Sequence, residues 1–326
     1  MTTRIGILGA AGIAPAAIIR PVRRRSGDAV IAAVASRRAA AAAEYAATHG
    51  IESSYGSYAE LLADPTIDLV YNALPPSEHA EWTIAALEAG KDVLCEKPSA
   101  MNATQSAAMV EAAERTGRRL IEAFHDRYHP LSARIGEYLT DGSIGTIQHI
   151  EARFTAEIPF DPASIRHEPT VGGGALMDLG CYPVHWIRAF MGEEPRVVSA
   201  RAEKNALGAD QSIEAQLEFP SGATATIVTS MDGPLEATLS LTGSTGTATI
   251  DSLVFPSSGH SVTQTVDGVD RQFTVAGLTT YDHQLDAVLR ALETGEKLPT
   301  EGADIVANMA LIDAIYEAAG FDRSVA

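Results

Sequence analysis

Through the first 124 residues, apolar runs of strand length alternate with alanine-rich or amphipathic stretches. Residues 4–9 (RIGILG) predict a buried strand, followed by a glycine/alanine turn and a helix to about Arg24. Residues 30–35 predict a second strand, and Ser36 is placed to cap a helix that Gly50 stops. A short helix at 57–63, a strand at 68–74 and a helix at 79–89 ended by Gly90 come next. A strand at 92–95, a helix at 102–116 and a strand at 119–124 complete the series. Strands alternating with helices at short spacing predict a parallel sheet covered on both faces.

After Phe124 the period changes. Ile150, Ala152, Phe154, Ala156 and Ile158 alternate with Glu151, Arg153, Thr155 and Glu157, and Ile213, Ala215, Leu217 and Phe219 alternate with Glu214, Gln216 and Glu218. Both runs are period-2 strands with one wet face. Turn signals at 220–222, 243–246 and 267–268 separate further short strands, so residues 147–275 predict an open, mostly antiparallel sheet. Helices at 281–292 and 303–319 close the chain, the second with an apolar stripe of Ile305, Val306, Met309, Ile312 and Ile315. The expected organisation is an α/β domain at 1–123 and an α+β domain at 124–326.

Composition narrows the partners. A net charge of −18 over 326 residues, with no long lysine/arginine run, argues against nucleic acid and anionic membranes and for a small molecule. Two cysteines make no disulfide framework, and no stretch reaches the ~18 apolar residues of a membrane span, so the expected location is the cytoplasm. An exposed face on the second sheet would need a cover, which argues for association.

Gly9-Ala10-Ala11-Gly12-Ile13-Ala14 occupies the first strand-to-helix turn. There a dinucleotide pyrophosphate can rest on backbone N–H groups, although alanine replaces two of the three usual glycines and a tight structural turn would use the same residues. The second strand ends in Ser36-Arg37-Arg38 and lacks the acid that would accept from a ribose 2′-hydroxyl. A hydroxyl beside guanidinium groups suits a 2′-phosphate, which predicts NADP in preference to NAD. The alternative for Arg37 and Arg38 is a solvated helix start.

Cys95-Glu96-Lys97-Pro98 closes the strand at 92–95, and ligands of open parallel sheets bind beyond the carboxyl ends of the strands. Residues 172–182 read Gly-Gly-Gly-Ala-Leu-Met-Asp-Leu-Gly-Cys-Tyr; on a helix, Asp178 and Tyr182 share a face, while Pro183 predicts a kink or a helix start. The three glycines predict a close backbone approach. A tyrosine hydroxyl can exchange a proton at a carbonyl or alcohol oxygen if an ammonium such as that of Lys97 lowers its pKa.

These motifs, with Ala-Ser-Arg at 35–37 and Leu-Pro-Pro-Ser-Glu-His at 74–79, resemble the Gfo/Idh/MocA family over nearly the whole chain. Tyr182 stands where many members have histidine, as in the branch of dimeric dihydrodiol dehydrogenase, NADP-dependent xylose dehydrogenase and glucose–fructose oxidoreductase. The resemblance implies a Rossmann domain, then an open and mostly antiparallel sheet, with substrate held between them and the sheet serving a homodimer or homotetramer. It implies hydride transfer between the nicotinamide and a ring carbon of a monosaccharide or cyclic polyol. Lys97 would orient the substrate hydroxyl, Tyr182 exchange the proton, and Asp178 position the substrate or Lys97. Leu74, Pro75 and His79 would border the cofactor, Glu96 would lie near the nicotinamide ribose, and Pro98 is a candidate for a cis peptide. Arg127 is expected to meet substrate hydroxyls, with Arg166 at the pocket rim and Tyr281 a lesser candidate.

No metal site is expected. His125 and His129 have helical i, i+4 spacing, but the segment runs into Pro130. Relatives commonly carry an apolar or aromatic residue where His125 and Asp126 stand. Trp82, His185 and Trp186 are expected in helix packing. Rival readings keep the fold with dihydrodiol, aldehyde or imine substrates, or make the chain a non-catalytic NADP-binding regulator. The last should have lost the Lys/Asp/Tyr set, which is present.

Overall fold

The computed structural model describes residues 2–25, 27–138 and 140–321. It divides into two compact units, Met1–Phe124 with Tyr281–Val306, and His125–Thr280 with Ala307–Ala326. A single boundary after residue 123 therefore misses a return: the segment from Tyr281 groups with the first unit.

The first unit holds a six-stranded parallel sheet of β1 (Thr3–Leu8), β2 (Ala29–Ala35), β3 (Ser53–Tyr55), β4 (Leu69–Asn72), β5 (Asp92–Cys95) and β6 (Leu120–Glu122), in the order β3-β2-β1-β4-β5-β6. The order reverses between β1 and β4, the place where a doubly wound sheet binds its ligand. A π-helical turn at Pro15–Ile19 runs into α1 (Arg20–Arg24), and α2 (Ala39–His49), α3 (Tyr58–Leu62), α4 (Pro76–Glu88) and α5 (Ala103–Thr116) follow. Most limits match the caps: Gly50 ends α2 at φ 54°, Ser57 and Glu60 form a capping box on α3, and Asn102 caps α5. Ser36 does not cap α2. Arg38, with extended dihedrals, is the N-cap residue, and Ser36 Oγ accepts from the Arg38 N–H at 3.4 Å. Helix α4 starts at Pro76, three residues before His79, because proline is at home in a first helical turn.

The second unit begins with a 3-10 turn at His125–Tyr128 and α6 (Pro130–Glu137). Its sheet has eight strands: β7 (Ile147–Thr155), β8 (Arg196–Lys204), β9 (Asp210–Glu218), β10 (Thr224–Ser230), β11 (Glu236–Gly243), β12 (Gly246–Ile250), β13 (Val262–Val266) and β14 (Val269–Phe273). Their order is β14-β13-β12-β11-β7-β10-β9-β8; every pair is antiparallel except β7 with β10. Ala156 and Ile158 lie beyond the end of β7. Helix α7 (Cys181–Met191) packs on β7 and β10 and buries Tyr182, His185 and Trp186.

Helix α8 (Thr280–Thr294) is tied to the first unit from Tyr281 onward, since Arg24 pairs with Asp282 at 2.8 Å. Arg119 grips both oxygens of Glu301 at 2.8 Å, Ile121 bridges to Glu301, and the Glu122 N–H donates to the Thr300 carbonyl. Helix α9 (Ala303–Ala318) carries the division between the units, and Ile305, Met309, Ile312 and Ile315 of its stripe are buried.

Candidate active site

In the first unit, the end of β1 meets the end of β4. Gly9 has φ 95°, and a Cβ there would lie 3.1 Å from Leu74 Cδ2 and 3.3 Å from the Ala73 carbonyl oxygen, so only glycine takes this turn without strain. A Cβ at Gly12 would meet nothing within 4 Å, which leaves open space over the exposed turn. Among the described residues no backbone carbonyl receives the N–H groups of Ala10 to Ile13. Unused N–H groups at a helical N-terminus facing open space fit a dinucleotide pyrophosphate. Ser36, Arg37 and Arg38 stand at the end of the neighbouring β2; the Arg37 side chain is 73% exposed and pairs with Glu78 at 3.1 Å. That surface pair is worth at most about 1 kcal/mol, so the guanidinium is free to exchange it for a phosphate.

The β4 and β5 loops are bound together from inside. Asn72 donates to the His79 carbonyl at 3.3 Å and to Thr83 Oγ1 at 3.1 Å, and accepts from the Leu74 N–H. His79 is 1% exposed, with Nε2 2.7 Å from the Leu74 carbonyl and Nδ1 3.0 Å from the Pro98 carbonyl. Two carbonyls ask for a proton on each nitrogen, yet burial pushes the imidazole down to about 4. Desolvation dominates, so near pH 7 the ring is neutral and donates to one carbonyl, the nearer being that of Leu74. The ring nitrogens of His79 are committed to the backbone of the two loops, Leu74 on one side and Pro98 on the other. Pro75 is the N-cap residue of α4.

Glu96 is 8% exposed and accepts the Tyr71 hydroxyl at 2.5 Å. Burial raises its pKa, and the Tyr71 bond and the Lys97 charge pull it back. Lys97 is half-buried, the Lys97–Pro98 peptide is cis, and the Ser99 N–H donates to Glu122 at 2.7 Å.

In the second unit, the glycine stretch makes the close backbone approach expected of it. Gly174 has φ 127°, and a Cβ there would collide with the Asp210 carboxylate; one at Gly173 would collide with the backbone of Ile165 and Glu168. The close approach is to the chain itself. Buried Asp210 accepts the Leu176 N–H at 2.6 Å and the Tyr316 hydroxyl at 2.7 Å. It thereby starts a π-helical turn at Leu176–Gly180, which passes directly into α7. Pro183 lies just beyond the π-helical turn in a run that is helical from Ala175, so its missing N–H falls at the irregular join and not at a helix start. The π-turn breaks the regular i, i+4 geometry, and the structure gives Asp178 and Tyr182 different partners. Asp178 pairs with Arg166, which places the expected rim arginine directly on it. Tyr182, 4% exposed, has its hydroxyl 2.9 Å from His125 Nε2.

Arg127 is half-buried on the 3-10 turn, and its cation helps burial hold the neutral form of His185. Asp126 is buried, accepts the Trp186 indole N–H at 2.7 Å, and is pushed up to about 6 by desolvation. His129 caps α6 by accepting the Leu131 N–H. Among the described residues no group of three or more His, Cys, Asp or Glu side chains could hold a metal. Tyr281 belongs to the first unit, and Trp82 packs edge-on against Tyr58.

The family model described as an oxidoreductase family with an NAD-binding Rossmann fold matches residues 3–124, and a GFO/IDH/MocA C-terminal domain matches residues 132–249. The chain belongs to the Gfo/Idh/MocA family. It is 37% identical over 327 aligned residues, 96% of each chain, to D-xylose 1-dehydrogenase (NADP(+)) 2 of Haloferax volcanii. It is 32% identical over 86% of its length and 83% of the relative to trans-1,2-dihydrobenzene-1,2-diol dehydrogenase of Xenopus tropicalis. Among solved structures, a 3-ketoreductase from Actinomadura kijaniata in complex with NADP and TDP-benzene superposes with a TM-score of 0.91 at 28% identity over 98% of both chains.

Within this Gfo/Idh/MocA member, residue patterns alone missed Asn72, Tyr71 and Asp210, which brace the loops. They also missed the contact of His125, three residues beyond the end of β6, with the Tyr182 hydroxyl.

Proposed function

We propose that this chain is an NADP-dependent oxidoreductase that transfers a hydride between the nicotinamide and a ring carbon of a monosaccharide or related cyclic polyol. The observation that carries the reading is the Tyr182 hydroxyl, buried and 2.9 Å from the Nε2 of a buried imidazole. A phenol so placed is equipped to exchange a proton. The family membership and the NADP-named relatives support the cofactor.

When bound, NADP supplies the hydride acceptor or donor. The N–H groups of Ala10 to Ile13, on the turn that Gly9 opens, hold its pyrophosphate, and Ser36, Arg37 and Arg38 hold the 2′-phosphate. Leu74, Pro75, Glu96 and Pro98 border it, braced by His79 and Tyr71 from inside. Lys97 orients the reacting hydroxyl and stabilises negative charge on its oxygen. Tyr182 takes the hydroxyl proton in oxidation and returns it in reduction. Asp178, held by Arg166, accepts a hydrogen bond from a neighbouring substrate hydroxyl, and Arg127 donates to another. A self-associating chain in the cytoplasm completes the proposal.

The test is reduced-nicotinamide absorbance with the purified protein, NADP or NAD, and a panel of aldopentoses, aldohexoses, inositols and a trans-dihydrodiol. Turnover with NADP on the sugars or cyclic polyols is expected. Turnover on the dihydrodiol alone would move the chain to the chemistry for which its Xenopus relative is named. Silence across the panel would refute the proposal.

A further inference from the structure

His125 opens the turn His125–Tyr128 and is 1% exposed. Both ring nitrogens are engaged: Nε2 lies 2.9 Å from the Tyr182 hydroxyl, and Nδ1 lies 2.7 Å from Thr280 Oγ1. The Thr280 hydroxyl reaches the Val254 carbonyl at 3.5 Å. With the proton on Nδ1, the Thr280 oxygen accepts Nδ1–H while its own hydroxyl turns toward Val254, and Nε2 is placed to accept the Tyr182 proton; this is the tautomer that the proton transfer requires. The imidazole is held edge-on to the Tyr182 ring at 5.7 Å and stacked on Phe255 at 6.2 Å. An apolar ring would fill this space equally well. What histidine adds is a place for a proton.

On the reading of Tyr182 as the proton-exchanging group, on which this rests, we propose that His125 is a positioning residue that receives the Tyr182 phenol proton during turnover. In oxidation, the substrate O–H bond breaks as a new O–H bond forms at Tyr182 Oη. The original phenol O–H bond breaks as an N–H bond forms at His125 Nε2. The substrate's hydride leaves with its electron pair to the nicotinamide, so the products are a neutral carbonyl and an imidazolium whose Nδ1–H stays on Thr280. Reduction runs the same transfers backwards. Tyr182 remains a neutral phenol before and after the step, and the charge is carried by the imidazole.

The test compares wild type with His125→Gln, His125→Phe, Thr280→Val and Tyr182→Phe, with NADP and first D-xylose, then the other panel sugars. Gln keeps a hydrogen-bonding group beside Tyr182 but takes no proton; Phe keeps the ring volume. The expected result is a kcat lower by on the order of 10- to 100-fold in both His125 variants, with KM for sugar and NADP within about threefold. Thr280→Val, which keeps the side-chain volume and frees Nδ1, lowers kcat by about threefold or more. Recovery of wild-type kcat in His125→Gln but not in His125→Phe overturns the proton transfer, leaving only a hydrogen bond. Wild-type kcat in both, with Tyr182→Phe inactive, overturns the role of His125 and spares that of Tyr182. Wild-type kcat in Tyr182→Phe, or no turnover of any sugar by wild type, overturns the underlying reading and this one with it.

Discussion

Replacing Asp126 by asparagine removes a buried charge and keeps an acceptor for the Trp186 indole. In the folded chain this carboxyl is raised from 3.8 to about 6, chiefly by burial, with the Trp186 hydrogen bond opposing. Between those values the native state holds a proton that the unfolded chain has released, so the carboxyl's contribution to stability is complete below about pH 4 and is lost as pH rises through 6. At about 1.4 kcal/mol per pH unit, wild type loses roughly 2–3 kcal/mol relative to Asp126→Asn between pH 4 and pH 7. The amide also places an N–H2 where Asp126 Oδ1 has no partner among the described residues. That costs about 1–3 kcal/mol at every pH, so the informative quantity is the slope with pH, not the offset. Thermal unfolding of both proteins from pH 4 to 8 measures it. The melting temperature of the variant relative to wild type should rise by about 5–10 °C between pH 4 and pH 7. A gap constant to within a degree or two would refute the reasoning, because a charge that costs nothing when buried cannot have a raised pKa.

Gly174→Ala should destabilise the fold by on the order of 3 kcal/mol, because φ 127° is strained for any side chain and Asp210 occupies the space; chemical denaturation reads the loss. Arg37→Glu should raise KM for NADP by about 10- to 100-fold while moving KM for NAD little, since only the former presents a 2′-phosphate to the guanidinium. Lys97→Met should lower kcat by about 100-fold or more, with NADP affinity by fluorescence titration within a few-fold of wild type. Wild-type turnover in that variant would remove Lys97 from the chemistry.

Where local residues decide an element, the sequence was enough to place it. Strand β5 is delimited at Asp92 and Cys95 by the turn at Gly90 and the loop at Glu96, and α5 begins after the Asn102 cap. The parallel sheet followed by a mostly antiparallel one was legible in the switch from strand–helix alternation to period 2. Strand β3 was missed because three residues with no fully buried position carry no periodic signal. The return of Tyr281–Val306 to the first unit depends on Arg119 meeting Glu301, 182 residues away. The π-helical turn at Leu176–Gly180 depends on the Asp210 carboxylate at its start, 34 residues away in sequence. The partner of Tyr182 lies 57 residues upstream, so no spacing rule pairs it with His125. The motifs around Lys97, Asp178 and Tyr182 can be read locally; the partners that hold Asp178 and Tyr182, Arg166 and His125, are supplied by tertiary contacts.

The most direct test of the account is reduced-nicotinamide formation from NADP by wild type and Tyr182→Phe, side by side on the aldose and polyol panel. Wild type should turn over at least one sugar or cyclic polyol with NADP, and Tyr182→Phe should lose about 100-fold or more of kcat on that substrate while still binding NADP. Equal turnover by the two proteins, or turnover by wild type with NAD alone, would contradict it.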